Sequence, residues 1–156
     1  LGFVKAGFFF DVTHNRIFIT TIIAWVIAQS IKVALGVIRE KRFDFKWFIG
    51  TGGMPSSHSA GVTALATSVG LTHGFNSVIF AVTTIFAFII MFDAQGVRRA
   101  TGQQAEILNK IMDDIYHGNK IREDRLKELI GHTPVEVLIG GLLGILIAVI
   151  CIRWIG

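Results

Sequence analysis

Apolar residues run along this chain in long blocks, not in the alternation of a strand or the single stripe of a surface helix. Four blocks stand out: Ile17 to Ile38, Pro55 to Thr72, Ser77 to Phe92 and Pro134 to Ile155. Each is near the ~20 residues a helix needs to cross a bilayer. Ile17 to Ile38 is too long for the apolar core of a signal peptide, and no small-residue cleavage pattern follows it. Between the third and fourth blocks the rhythm changes. From Thr101 to Tyr116, Ala105, Leu108, Ile111, Met112 and Ile115 recur at helical spacing among polar residues, which predicts an amphipathic helix on the membrane or packed beneath the spans. Residues 1 to 16 read as an interfacial lead-in, 72 to 76 as a reversing turn, and 117 to 131 as a mixed-charge connector.

Composition agrees with the pattern. A chain that is 52% hydrophobic, with mean hydropathy +0.61, is too apolar for an ordinary soluble domain. The single cysteine, Cys151, lies inside the last apolar block, so neither a disulfide framework nor a cysteine-based metal site is available. The net charge of +4 is carried by residues flanking the spans, which reads as a membrane surface and not as a nucleic-acid partner. Arg39, Lys41, Arg42, Lys46, Arg98, Arg99, Lys110, Lys120, Arg122, Arg125 and Lys127 fall on one side, against Lys5, Arg16 and Arg153 on the other. By the positive-inside rule the first group is cytoplasmic and both termini lie opposite. The expected architecture is all-α: an integral membrane bundle of about four transmembrane helices with a cytoplasmic amphipathic helix. It forms one domain over residues 1–156, with an inserted surface segment at 98–131.

Three polar features interrupt the apolar blocks. Gly52-Gly53-Met54-Pro55-Ser56-Ser57-His58-Ser59-Ala60 is a glycine turn leading into a helix start, with Ser56 or Ser57 as N-cap. Free amides and the positive helix end favour an anion there, and His58 adds a titratable proton donor, although a plain capped helix start fits the segment equally well. Lys32 stands well inside the first span, where an ammonium group either snorkels to the interface or serves a buried polar site. Thr133, Pro134 and Glu136 form a capping box that explains Glu136 structurally. Glu136 also stands four residues after His132, on the same helical face, where a carboxylate can orient an imidazole. Asp113-Asp114 reads as a solvated pair for want of a third ligand, and Gly140 with Gly144 reads as a close-packing face. Lys32, Arg39, His58, Arg98, Arg99, His132 and Glu136 all fall at the same ends of their spans, within reach of one shared pocket.

These residues together resemble the signature of the type 2 phosphatidic acid phosphatase superfamily, which also holds acid phosphatases and vanadium-dependent haloperoxidases. The resemblance rests on Lys32 and Arg39 separated by six residues, Pro55-Ser56-Ser57-His58, an arginine, and His132 followed by Glu136, and spans Ser30 to Gly144. Gly-Gly-Met-Pro-Ser-Ser-His-Ser-Ala, Phe-Asp-Ala-Gln-Gly-Val-Arg-Arg and Gly-His-Thr-Pro-Val-Glu-Val resemble a divergent bacterial and plant branch of it. This chain has Glu40, Ser57 and Glu136 where the usual pattern has proline, glycine and aspartate. Leu126 occupies the usual place of the third-motif arginine, leaving that part to Arg98 or Arg99.

The resemblance implies a metal-independent phosphatase without cofactor, acting on a lipid phosphate or diphosphate. His132 would be the nucleophile, Glu136 its orienting carboxylate and His58 the general acid, with Lys32, Arg39, Ser56, Ser57 and Arg98 or Arg99 around the phosphate. A homo-oligomer is compatible with this reading. The rival readings are a non-catalytic scaffold of the same fold and a small transporter, in which intramembrane Lys32, His58 and Glu136 would line a path.

Overall fold

The computed structural model describes residues 7–41, 53–115 and 131–155. Among the described residues, six helices follow one another: α1 (Phe8–Thr13), α2 (Arg16–Glu40), α3 (Ser57–His73), α4 (Val78–Gln95), α5 (Val97–Ile115) and α6 (Pro134–Ile155). Short polar side chains set their starts. Asn15 accepts from the Phe18 amide at 3.1 Å, Ser56 from Ser59 at 3.3 Å and Ser77 from Phe80 at 3.3 Å, so orphan amides of three first turns are satisfied inside the protein. Helix α2 stops at Lys41, which takes the left-handed conformation with φ 52°, and α3 stops at Gly74 with φ 89°.

The bundle is built around α3, which packs against α2, α4 and α6, while α2 also packs on α6. Among the described residues, three stretches are long and apolar enough to cross a membrane: Arg16–Glu40, Val78–Met112 and Pro134–Trp154. The 17-residue α3 is shorter, roughly 25 Å by helical rise. It is also the most buried of the long helices, with Ser59, Ala60, Ala64 and Ser68 fully enclosed. A small-residue sequence in the centre and large apolar side chains outside are what lipid selects. Hydrocarbon offers no hydrophobic drive between helices, so close backbone approach must supply the contact. Ala24, Ala64, Ile147 and Ala148 form the core cluster, whereas Phe86, Ile89, Phe92, Leu138 and Leu142 face outward.

The α3–α6 contact shows the cost of any larger residue. A Cβ on Gly140 would strike the Ser56 carbonyl, and one on Gly144 would strike the Ala60 carbonyl and the Thr63 hydroxyl. Thr63 Oγ1 donates across the same seam to the Gly141 carbonyl at 2.9 Å. Gly144→Val should therefore destabilise the bundle by about 1–3 kcal/mol through overpacking, measured as lower thermal stability in detergent. Unchanged stability would show that the two backbones do not meet there.

Helix α5 differs from the pattern-based expectation in two respects. It begins at Val97, just after Gly96, and not at Thr101, so Arg98 and Arg99 lie in its first turn. It also packs through Gly102, Ala105 and Asn109, while Ile107, Leu108, Ile111 and Met112 stay exposed. Of the apolar stripe, Ala105 is thus buried while Leu108, Ile111 and Met112 are exposed, because the small face is the one that allows close approach. Tyr116 and the connector to residue 130 lie outside the described residues, as do Arg42 and Lys46.

Candidate active site

The C-terminal ends of α2 and α4 meet the N-terminal ends of α3 and α6, and this end of the bundle carries the polar residues. Backbone bonds tie it together. The Ser56 amide donates to the Glu136 carbonyl at 3.1 Å, and the His132 amide donates to the Ala94 carbonyl at 3.0 Å. The second bond fixes the His132 backbone against the last turn of α4. Nothing in the hydrophobic pattern marks Ala94 for this task, since only its main-chain oxygen is used.

His132 is buried, and its Nδ1 lies 3.1 Å from Glu136 Oε2. The same oxygen accepts from the Thr133 amide at 3.0 Å, and the Glu136 amide donates to Thr133 Oγ1 at 3.3 Å. The capping-box and imidazole-orienting readings are therefore both satisfied by one carboxylate. An ionised carboxylate only accepts hydrogen bonds, so the proton of a neutral His132 sits on Nδ1 and the lone pair on Nε2.

His58, in the first turn of α3, is exposed, and its ring centroid stands 6.5 Å from that of His132 at a tilt of 58°. That separation is beyond direct hydrogen bonding between the rings and places two imidazoles around one small volume. Lys32 reaches the same region. Its stem lies across Gly53, where an added Cβ would come within 3.3 Å of Lys32 Cδ, and its ammonium group feels the Glu136 carboxylate. Gly53 has φ +85°, so glycine serves both the turn and the passage of the lysine.

The remaining sequence-predicted residues are placed less uniformly. Ser56 is fully buried; its amide donates to the Glu136 carbonyl, and its Oγ accepts from the Ser59 amide at 3.3 Å and the Ser59 hydroxyl at 3.0 Å. It thus caps α3 and ties the start of that helix to α6. Ser57 is buried at the first helical position. Arg39 is exposed in the last turn of α2, on the same helical face as Lys32 but ~10 Å further along. The side chains of Arg98 and Arg99 lie outside the described residues. Among the described residues, no group of three or more His, Cys, Asp or Glu side chains is placed to hold a metal ion.

Below the polar end lies a cavity of about 530 Å³ between α3, α4 and α6, lined almost entirely by apolar atoms. The sequence does not announce it, because its walls use the same residue types as the lipid-facing surface.

A membrane helical bundle with a carboxylate-held histidine opposite a second histidine is the arrangement expected of a phosphatidic acid phosphatase-like protein. The chain belongs to the divergent PAP2 family, which matches residues 13–147. It is 46% identical over 151 residues, covering 90% of this chain and 96% of the other, to a Bacillus subtilis protein named as an uncharacterized membrane protein, YuiD. No solved structure matches the chain.

Proposed function

We propose that this protein is a membrane-embedded phosphatase that hydrolyses a lipid phosphate or lipid diphosphate through a phosphohistidine intermediate. The observation that carries the reading is the His132 Nδ1 to Glu136 contact of 3.1 Å with the His58 ring 6.5 Å from that of His132. His132 Nε2 attacks phosphorus, the bond to the leaving oxygen breaks, and His58 gives that oxygen its proton. His58, now neutral, takes a proton from water as the water attacks the phosphohistidine, and His132 departs with its electron pair. The imidazole that carries phosphorus gains positive charge, and Glu136 lies beside it.

Lys32 supplies fixed positive charge to the phosphoryl oxygens, with Arg39 and Arg98 or Arg99 approaching once substrate is bound. The amide at Ser57 adds a donor at the positive end of α3. The basic residues gathered at this end of the chain orient it to the cytoplasm, with both termini opposite.

Vesicles test activity and sidedness together. Everted membrane vesicles bearing the protein should release inorganic phosphate from an added, impermeant phosphate ester, while right-side-out vesicles should not. Release from right-side-out vesicles alone would reverse the orientation. Absence of release from either, and from lipid phosphates offered to purified protein, would leave the non-catalytic scaffold.

A further inference from the structure

Helix α2 carries one carboxamide, Gln29, and that residue is only 4% exposed. At membrane depth a carboxamide is costly unless polar groups meet it. The contacts on either side of Gln29 show what it faces. Three residues later on α2, Lys32 lies against Gly53; four residues earlier, Trp25 lies against Gly61, where an added Cβ would come within 3.8 Å of the Trp25 Cβ. Trp25, Gln29 and Lys32 share one helical face. Rising numbers on α2 therefore match falling numbers on the facing segment. Gln29 stands opposite the middle of the stretch from Gly53 to Gly61, which is the start of α3 at Ser57.

Ser57 is itself 3% exposed, and among the described residues neither its amide nor its hydroxyl has a hydrogen-bond partner. The amides beside it are engaged, that of Ser56 with the Glu136 carbonyl and that of Ser59 with Ser56 Oγ. Two buried polar side chains thus stand at one level, at the positive end of α3 and one turn deeper than Lys32.

We propose that Gln29 is a phosphate-binding residue, whose carboxamide donates to a phosphoryl oxygen that also accepts from the Ser57 amide, on the α2–α3 side of the group that His132 attacks. The inference rests on the phosphatase reading of the polar end. A carboxamide offers two donors besides its acceptor oxygen, so the oxygen can hold the protein while an N–H meets the anion. It adds no charge. Lys32 already brings a cation to this end, and a second one buried a turn deeper would cost far more in desolvation than a neutral donor does. A fixed donor in water-excluded surroundings stabilises the charge on the phosphoryl oxygens without rearranging during transfer.

Binding of inorganic phosphate to the full chain in lipid nanodiscs tests this without turnover. Gln29→Met keeps the length and removes both donors, and it should weaken phosphate binding about tenfold, the loss of one hydrogen bond to a charged group. Gln29→Glu sets a carboxylate against the anion and should weaken binding by about a hundredfold. Thr20, the other buried polar side chain of α2, lies ~14 Å from Gln29 by helical rise, and Thr20→Val should bind phosphate as wild type does. In turnover, Gln29→Met should lower kcat/KM for alkyl and aryl phosphates by a similar factor, because both carry the same phosphoryl group. A tie between α2 and α3 alone gives another pattern. Both Gln29 variants would then melt at lower temperature without anion, while the folded protein would bind phosphate as tightly as wild type, and that result overturns the proposal.

A measurement on wild-type protein needs neither variant to fold. With isotopically labelled glutamine, the side-chain amide signal of Gln29, assigned by replacing Gln95, Gln103 and Gln104 in turn, should shift as phosphate is added. A signal that stays in place while phosphate binds overturns the proposal. Wild-type protein that binds no phosphate and hydrolyses no ester would remove the phosphatase reading and the role of Gln29 with it. Wild-type binding with unaffected Gln29 variants removes the role of Gln29 only.

Discussion

His132→Ala protein should release no phosphate from any ester, while His58→Ala protein should lose alkyl phosphates and keep part of its rate on an aryl phosphate such as p-nitrophenyl phosphate. The asymmetry follows from the two tasks. A nucleophile is required for every substrate, whereas a general acid is required only when the leaving group is too basic to depart unprotonated, a contribution of ~10²- to 10⁴-fold. The surroundings of the two histidines differ. His132 is buried, backed by Glu136 and pinned through its amide to Ala94. His58 is exposed at the start of α3, where a leaving group can pass to water or lipid. Rapid quench with radiolabelled substrate should trap phosphohistidine in wild type and in His58→Ala, and not in His132→Ala. Trapping with the opposite pattern would exchange the two roles, and full activity in both variants would remove catalysis from this end of the bundle.

Much of this arrangement is legible in the sequence because membrane helices declare themselves by uninterrupted apolarity. The blocks at Ile17, Ser77 and Pro134 correspond to α2, α4 and α6 within a few residues. The small residues after Pro55 foretell a helix packed among others, and α3 is that helix. His132 and Glu136, being four apart on one helix, also meet as helical geometry requires. Long-range backbone bonds are a different matter. The Ser56 amide to Glu136 and the His132 amide to Ala94 join segments far apart in the chain through atoms that every residue carries, so no side-chain pattern encodes them. For the same reason the sequence does not show that the Ser56 amide donates to the Glu136 carbonyl. The apolar hollow between α3, α4 and α6 is hidden for a related cause: Phe80, Phe88 and Leu142 look like lipid-facing residues, and only the spacing of α4 from α6 turns their surface into a cavity.

The close α3–α6 seam connects fold to chemistry. Gly140 permits the Ser56 backbone to lie against α6, and the resulting bond from the Ser56 amide to the Glu136 carbonyl fixes the start of α3 relative to the residue that orients His132. His58 is two residues from Ser56, so the distance between the histidines is set by backbone contact between two helices. A constellation placed in this way is held by rigid elements, which is what positioning for phosphoryl transfer demands.

Glu136 allows charge to be separated from geometry. Because Oε2 accepts from both His132 Nδ1 and the Thr133 amide, a glutamine can set its single carbonyl oxygen in that place and keep both hydrogen bonds. Only the negative charge is lost. In the proposed mechanism that charge matters most once His132 carries phosphorus and the ring has become cationic, when a unit charge at ~4 Å is worth roughly 4 kcal/mol at an effective dielectric of about 20. Glu136 is partly exposed, so screening reduces that figure, and Glu136→Gln should lower the rate of phosphohistidine formation by about 10²- to 10³-fold with little change in thermal stability. Glu136→Ala removes the cap as well and should in addition cost about 1 kcal/mol of stability. Single-turnover measurements beside melting curves separate the two effects. If Glu136→Gln forms the intermediate at the wild-type rate, the carboxylate is only a helix cap, and the activation of His132 must come from elsewhere.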